Sequence, residues 1–319
     1  MLQKLKKNWF MIGLLGTTAA TVADSSGLLV IPGLWLKEHN GPDSIIILIF
    51  FFSGLALNTS QIRAGFKDYI GTITALFLIF IISPLLALLF SMLPLSTGLL
   101  LGLFLVAVMP CTLSSGVVMT DAAGGNMAHA LLITIVSNSL AVVTIPLSLA
   151  LLLSFTGDTR VIEVDQLPIM IKIATLVLLP LIVGILVRNR MTDTVRPLLP
   201  YTSILNQVGI LIVVWMATCK GREAIVDSLD AIAPVLGVTF FFHLAIMTAG
   251  LLLVRAFTIE KGRRESVILM GGQKTLPLSL ILQVSLFPEY GIALVVCVLH
   301  HIIHLAMDSF LVQYLKKKE

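Results

Sequence analysis

One lysine in this chain demands a chemical explanation before anything else does. Lys274 stands in Gly271-Gly272-Gln273-Lys274-Thr275-Leu276-Pro277, midway along the apolar stretch 265–287. An ammonium group at the centre of a bilayer costs about 2.5–3.5 kcal/mol on insertion scales. At that depth the side chain cannot easily snorkel to water, and no acidic residue lies close to it in the same stretch. A compensating charge is available from the backbone, because the C-terminus of a helix carries about half a negative charge. Two broken helices that crossed would bring two such ends together, and Lys274 would supply the cation between them.

A second break supports that picture. The stretch 98–122 contains Met109-Pro110-Cys111-Thr112-Leu113-Ser114-Ser115-Gly116 near its middle. Proline removes a helical hydrogen bond and clashes with the preceding turn, and paired glycines weaken a helix further. In hydrocarbon, freed backbone groups persist only where protein or a watery cavity covers them. A pair of breaks at matching depth therefore predicts a polar site at the midplane, with Pro110, Thr112, Ser114, Ser115, Gln273, Lys274 and Thr275 as its candidate binding residues. The competing reading is two ordinary proline kinks healed by Ser and Thr side chains.

His300, His304 and Asp308 recur at a spacing of four, which places them on one helical face with His301 beside them. A metal would need three or four ligands at fixed geometry. Imidazoles also handle protons near neutral pH, and a packed polar network between helices is the third reading. Asn138, Asn206, Gln207, His129 and His243 read as interhelical hydrogen-bonding groups. Asn126 reads as a helix N-cap, and Lys172 as a side chain that snorkels from near a span end. Cys111, Cys219 and Cys297 form neither a disulfide framework nor a metal knuckle and read as buried small apolar residues. No metal or cofactor site is assigned.

The elements that must position these residues are apolar helices. Of 319 residues, 57% are hydrophobic and 12% charged, and the mean hydropathy is +1.03. Soluble domains run near ~45–50% apolar and ~25% charged. A pI near 9.0 comes from basic residues at segment ends, where they set topology, and no basic stripe with aromatics suggests nucleic acid. Ten apolar segments of spanning length are expected at about 9–31, 43–57, 69–93, 98–122, 127–154, 167–187, 202–219, 231–257, 265–287 and 290–313. The first is interrupted by Asp24-Ser25-Ser26, and an earlier close near Val22 is the alternative reading. Although Lys4-Leu5-Lys6-Lys7 and Thr21-Val22-Ala23 mimic a secretory leader, an uncleaved first helix is expected.

With the N-terminus inside, fifteen of the 21 lysines and arginines fall on the cytoplasmic side, four fall outside, and Lys172 and Lys274 lie within spans. Both termini are then cytoplasmic, in a multi-pass protein of the inner membrane. Splitting ten spans into halves of five, about 9–154 and 167–313, gives an inverted repeat. The two breaks occupy corresponding segments, the fourth and the ninth.

The chain resembles the bile acid:sodium symporter superfamily, and within it the orphan SBF-like branch that includes the divergent seventh human member. The resemblance rests on Asn8-Trp9-Phe10-Met11-Ile12-Gly13, Phe51-Phe52-Ser53-Gly54-Leu55-Ala56-Leu57, Pro110 through Thr120, Gly125-Asn126-Met127-Ala128 and Gln273-Lys274-Thr275-Leu276. It implies an all-α membrane protein of ten helices in two inverted five-helix repeats, forming one transmembrane domain over residues 1–319. Helices one, two, six and seven would make a panel and the rest a core, with helices four and nine crossing at unwound centres. Transport would proceed by alternating access.

The departures are specific. Where sodium-coupled members are implied to carry oxygen ligands, this chain has Gly116, Val117, Ala130 and Leu269, and only Thr134 and Gln273 keep an oxygen. Sodium is a hard cation that needs several oxygens. Lys274 stands where those members carry Asn. The expectation is therefore a secondary transporter, not an enzyme, moving a small organic anion, with Lys274 in place of sodium and coupling to protons or to no ion. The alternatives are a metal-dependent membrane enzyme using His300, His304 and Asp308, and a non-transporting regulator with this fold. Neither the solute nor the oligomeric state is legible.

Overall fold

A computed structural model describes residues 2–57, 69–112, 115–155, 165–226 and 231–317. Among these residues every regular element is helical. In chain order the helices of eight residues or more are α1 (Leu2–Ala23), α2 (Val30–Glu38), α3 (Gly41–Ala56), α4 (Tyr69–Phe90), α5 (Thr97–Val108), α6 (Ser115–Ala122), α7 (Met127–Ser154), α8 (Gln166–Arg190), α9 (Thr202–Val226), α10 (Ile232–Ala256), α11 (Arg263–Gly272), α12 (Leu276–Leu286) and α13 (Gly291–Lys317). Seven stretches are long and apolar enough to cross a membrane: α4, α7, α8, α9, α10, the α11–α12 stretch and α13. α2 and α3 meet at 78°, and Trp9–Ala23 and Thr97–Val108 are shorter apolar helices. This is a multi-pass membrane architecture.

The expected first span, 9–31, is corrected at its end. α1 stops at Ala23 because the Asp24 carboxylate turns the chain, accepting from the backbone N–H of Ser26, Gly27, Leu29 and Val30. Those donors are left unpaired as a new helix starts. The unexpected helix α2 then begins beside them. Asn126 caps α7 as its sequence predicts, accepting from the His129 N–H at 3.2 Å.

Two spans contain a widened turn absent from the expectations. Leu78–Ile82 in α4 and Ala174–Leu178 in α8 are π-helical, and one residue beyond each turn stands a proline, Pro84 and Pro180. Proline lacks the N–H that the preceding turn needs, and a single π turn is a common accommodation. In α4 the Ser83 N–H reaches back to Leu78. The carbonyl of Ile79 is next in that register, where its donor would be Pro84, which has none.

α3 packs against α8 and α9, and α1 against α9. The α3–α8 contact is close: a Cβ on Gly54 would lie 2.3 Å from the Leu181 carbonyl oxygen and 3.0 Å from the Gly184 Cα. Without a hydrophobic driving force between helices in lipid, such small-residue contacts bring backbones together. α13 packs against α5, α9 and α10, while α11 packs against α4, α6 and α10. Lys172 reaches the Ser285 hydroxyl at 2.7 Å and Asp43 at 3.9 Å, tying the starts of α8 and α3 to the end of α12.

Candidate functional site

The two breaks meet. α5 ends at Val108, and Met109 is extended with φ −68° and ψ 145°. α11 ends at Gly272, and Gln273 and Thr275 are extended with ψ of 139° and 124°. The Thr275 N–H donates to the Pro110 carbonyl at 3.0 Å, so the two interruptions are joined main chain to main chain. Pro277 in the first turn of α12 costs no hydrogen bond.

Lys274 is 2% exposed. Its Nζ donates to the carbonyl oxygens of Ile79 at 3.1 Å, Ala107 at 3.1 Å and Met109 at 3.0 Å. An ammonium has three donors, and all three are used. Ala107 and Met109 belong to the C-terminal end of α5, where orphan carbonyls and the helix dipole favour a cation. The third acceptor, Ile79, is the carbonyl that Pro84 leaves without a donor in the widened turn. The Ser83 hydroxyl also donates to Ala107, at 2.9 Å. Ile79, Ser83 and Pro84 were not among the sequence candidates. The only signal for them was a proline inside the apolar stretch 69–93.

On the other side of the crossing, Gln273 Oε1 accepts from the Thr112 hydroxyl at 2.7 Å and the Ser115 hydroxyl at 3.0 Å. Thr112 Oγ1 in turn accepts from the Gly116 N–H at 3.0 Å and lies 2.9 Å from Ser115. The Gln273 amide donates to the Met119 sulfur at 3.0 Å. Pro110, Thr112, Ser115, Gln273, Lys274 and Thr275 are thus brought together; Ser114 lies outside the described residues. Thr134 is buried one layer away on α7, where its hydroxyl donates back to Ala130. Asn138 links that layer to the first break through the Cys111 carbonyl at 3.3 Å.

The positions that lack an oxygen are packed. A Cβ on Gly116 would lie 2.7 Å from the Met270 sulfur and 3.1 Å from Gln273 Oε1. Ala130 and Leu269 are fully buried among apolar neighbours.

His300, His301, His304 and Asp308 are all buried on α13. His243 of α10, read from sequence as an interhelical hydrogen-bonding group, joins them: its Nε2 lies 3.1 Å from Asp308 Oδ1. Among the described residues no three of His, Cys, Asp and Glu converge as a metal-holding group. His129, read from sequence as an interhelical hydrogen-bonding group, has its ring nitrogens facing Ser266 of α11 and Thr72 of α4. A groove of about 450 Å³ between α1 and α9, lined by Gly16, Ala20, Thr21, Leu211 and Trp215 among others, includes no residue of the crossing.

Buried helices broken and crossed at a polar centre, within a bundle of long apolar helices, define a multi-pass membrane protein. Residues 8–317 match the SBF-like CPA transporter family, and the chain belongs to it. It is 30% identical to the probable sodium/metabolite cotransporter BASS4, a chloroplastic protein of Arabidopsis thaliana, over 83% of this chain and 63% of that one. It is 27% identical to the BASS4 protein of Oryza sativa subsp. indica, over 85% and 68%. With sodium/bile acid cotransporter 7-A of Xenopus laevis it shares 29% identity over 77% and 72%. The resemblance to the bile acid:sodium symporter family therefore holds. The matched family is described as one of transporters and these relatives are named as cotransporters, which speaks against the metal-enzyme alternative.

Proposed function

We propose that the protein is a secondary transporter that moves a small organic anion by alternating access, with Lys274 holding the place that a bound sodium ion takes in sodium-coupled members. The observation that carries this reading is the set of three carbonyls around the Lys274 ammonium. Three backbone oxygens converging on one buried cation are what a hard ion would also require.

The relatives' names refer to sodium with a metabolite or a bile acid, which supports a small solute here. The anionic preference rests on charge. The N-terminal ends of α6 and α12 begin at the crossing beside Lys274, and half-helix N-termini point positive ends at anionic groups. Pro110, Thr112, Ser114, Ser115, Thr134, Gln273 and Thr275 are the proposed lining. α12 is buried against α3, α9 and α13.

The proposed architecture is ten spans in one domain over residues 1–319, as inverted repeats at about 9–154 and 167–313. The contacts of α1 with α9 and of α3 with both α8 and α9 support their assignment as a panel moving against the remaining core. The Lys/Arg asymmetry supports cytoplasmic termini and the inner membrane.

The test is a thermal-shift series on purified protein in sodium chloride and in choline chloride. Wild type should melt at the same temperature in both. Lys274→Ala should melt lower in choline, since each orphaned buried carbonyl costs about 1–3 kcal/mol, and should recover in sodium as the ion fills the vacated cage. Sodium stimulation of wild-type flux in proteoliposomes, or undiminished flux in Lys274→Ala, would end this reading.

A further inference from the structure

The crossing has two negative helix ends, and Lys274 answers only one of them. The other belongs to α11, whose last residue is Gly272. A Cβ there would lie 3.6 Å from His243 Cε1, so the His243 ring is packed directly against that end. His243 Nε2 lies 3.1 Å from Asp308 Oδ1, and both side chains are at most 1% exposed. We propose that His243 and Asp308 form a proton-binding site at the negative end of α11, the exchangeable counterpart of the fixed Lys274 charge at the negative end of α5.

The charge count argues for the proton. A buried carboxylate with one neutral partner is costly, and it is stabilised once that partner becomes a cation. An added proton makes the pair an imidazolium and a carboxylate, and the α11 end favours the imidazolium. Asp308 Oδ2 and His243 Nδ1 are buried with no hydrogen-bond partner. The pair therefore has unspent acceptor and donor capacity rather than a closed structural network.

The pair is wired to the crossing. The Lys274 N–H approaches His304 Nδ1 at 3.5 Å, which assigns the neutral ring's proton to Nε2, an atom also buried without a partner. His304 lies 5.7 Å from His243, 5.4 Å from His300 and 4.6 Å from His301, ring centre to ring centre. The imidazoles thus bridge the Asp308 carboxylate and the strand that carries Lys274.

The titratable and charged groups facing the pair are His300, His301 and His304 on α13 and Lys274 at the crossing, with Cys297 farther along α13, a turn before His300. α5 and α12 carry none, α4 has only Tyr69 at its start, and α1 offers the Phe10 ring to His301. Arg263, Arg264 and Glu265 stand at the opposite end of α11, Asp121 is exposed on α6, and Cys219 through Glu223 lie near the end of α9. Proton binding reports on the pair alone. Its coupling to movement at the crossing rests on the alternating-access reading above.

The test uses full-length protein labelled with ¹⁵N-histidine in micelles, titrated between about pH 5 and 8, the range in which imidazole changes charge. With the exposed His39 replaced by His39→Gln in every sample, one imidazole signal should titrate, vanish in His243→Gln, stay neutral throughout in Asp308→Asn and return to titrating in Asp308→Glu. Across the same range, hydrogen-exchange protection of residues 273–276, corrected for intrinsic rates, should change at least threefold in wild type and not in Asp308→Asn. An imidazole titration indifferent to Asp308→Asn would overturn the proton site, and unchanged protection at 273–276 in wild type would overturn its coupling. Neither readout requires flux, so a failed transport assay and a failed proton site are told apart. Melting temperatures of the Gln and Glu variants control for misfolding.

Discussion

The Thr275 N–H donates to the Pro110 carbonyl at 3.0 Å, and this one main-chain bond holds two broken helices from opposite halves of the chain in register. Everything polar at the crossing is arranged about it. Lys274 lies on one side with three carbonyls, and Gln273 lies on the other with two hydroxyls. Backbone groups that hydrocarbon would not tolerate unpaired are thereby satisfied from within the fold.

Pro84 should matter to Lys274 although the two residues do not touch. Pro84→Ala restores an N–H that competes for Ile79, so the ammonium loses one of its three acceptors. The expected cost is about 1 kcal/mol, read as a lower melting temperature. Combined with Lys274→Ala, Pro84→Ala should cost less than it does alone, which a double-mutant cycle measures.

Thr112 accepts from the Gly116 N–H and donates to Gln273. Thr112→Val keeps the shape and removes both bonds, leaving buried groups unmatched at about 1–3 kcal/mol. Thr112→Ser should recover most of the lost thermal stability. Equal melting of the Val variant and wild type would contradict the hydrogen-bond assignment.

The α3–α8 contact has no room for a side chain. Gly54→Ala places a methyl against backbone atoms of Leu181 and Gly184 that cannot step aside. Overpacking of this kind costs about 1–3 kcal/mol. Gly237, with nothing within 4 Å, is the control, and Gly237→Ala should leave the melting temperature unchanged or raise it slightly.

Asp24 gives a pH signature at the end of α1. Its carboxyl is held below the ordinary carboxylate range, chiefly by the Ser26 hydroxyl, with the N–H groups of Leu29, Val30 and Ser26 adding to it. A depressed acid stabilises the fold at pH values above its unfolded value of 3.8, and the contribution fades as pH falls below it. Asp24→Asn should therefore melt below wild type at neutral pH. The gap should narrow steadily as the solution is acidified below the ordinary carboxylate range.

Much of this was legible in the residues alone, because it follows from local rules. Long apolar runs demand helices, a proline or a glycine pair demands a break, and a midplane lysine demands an acceptor. Those constraints operate within one helix, so Pro110, Gly271-Gly272 and Lys274 announced themselves. Partners across the bundle carry no such signal. That Ile79 completes the Lys274 cage follows from a widened turn that Pro84 forces in a different helix. His243 was legible as an interhelical hydrogen-bonding group, but its partner was fixed only when α10 was laid against Asp308 and the end of α11. Which carbonyl meets which cation, and which imidazole meets which carboxylate, is decided by contacts between residues far apart in the chain, and only the folded bundle brings them within hydrogen-bonding distance.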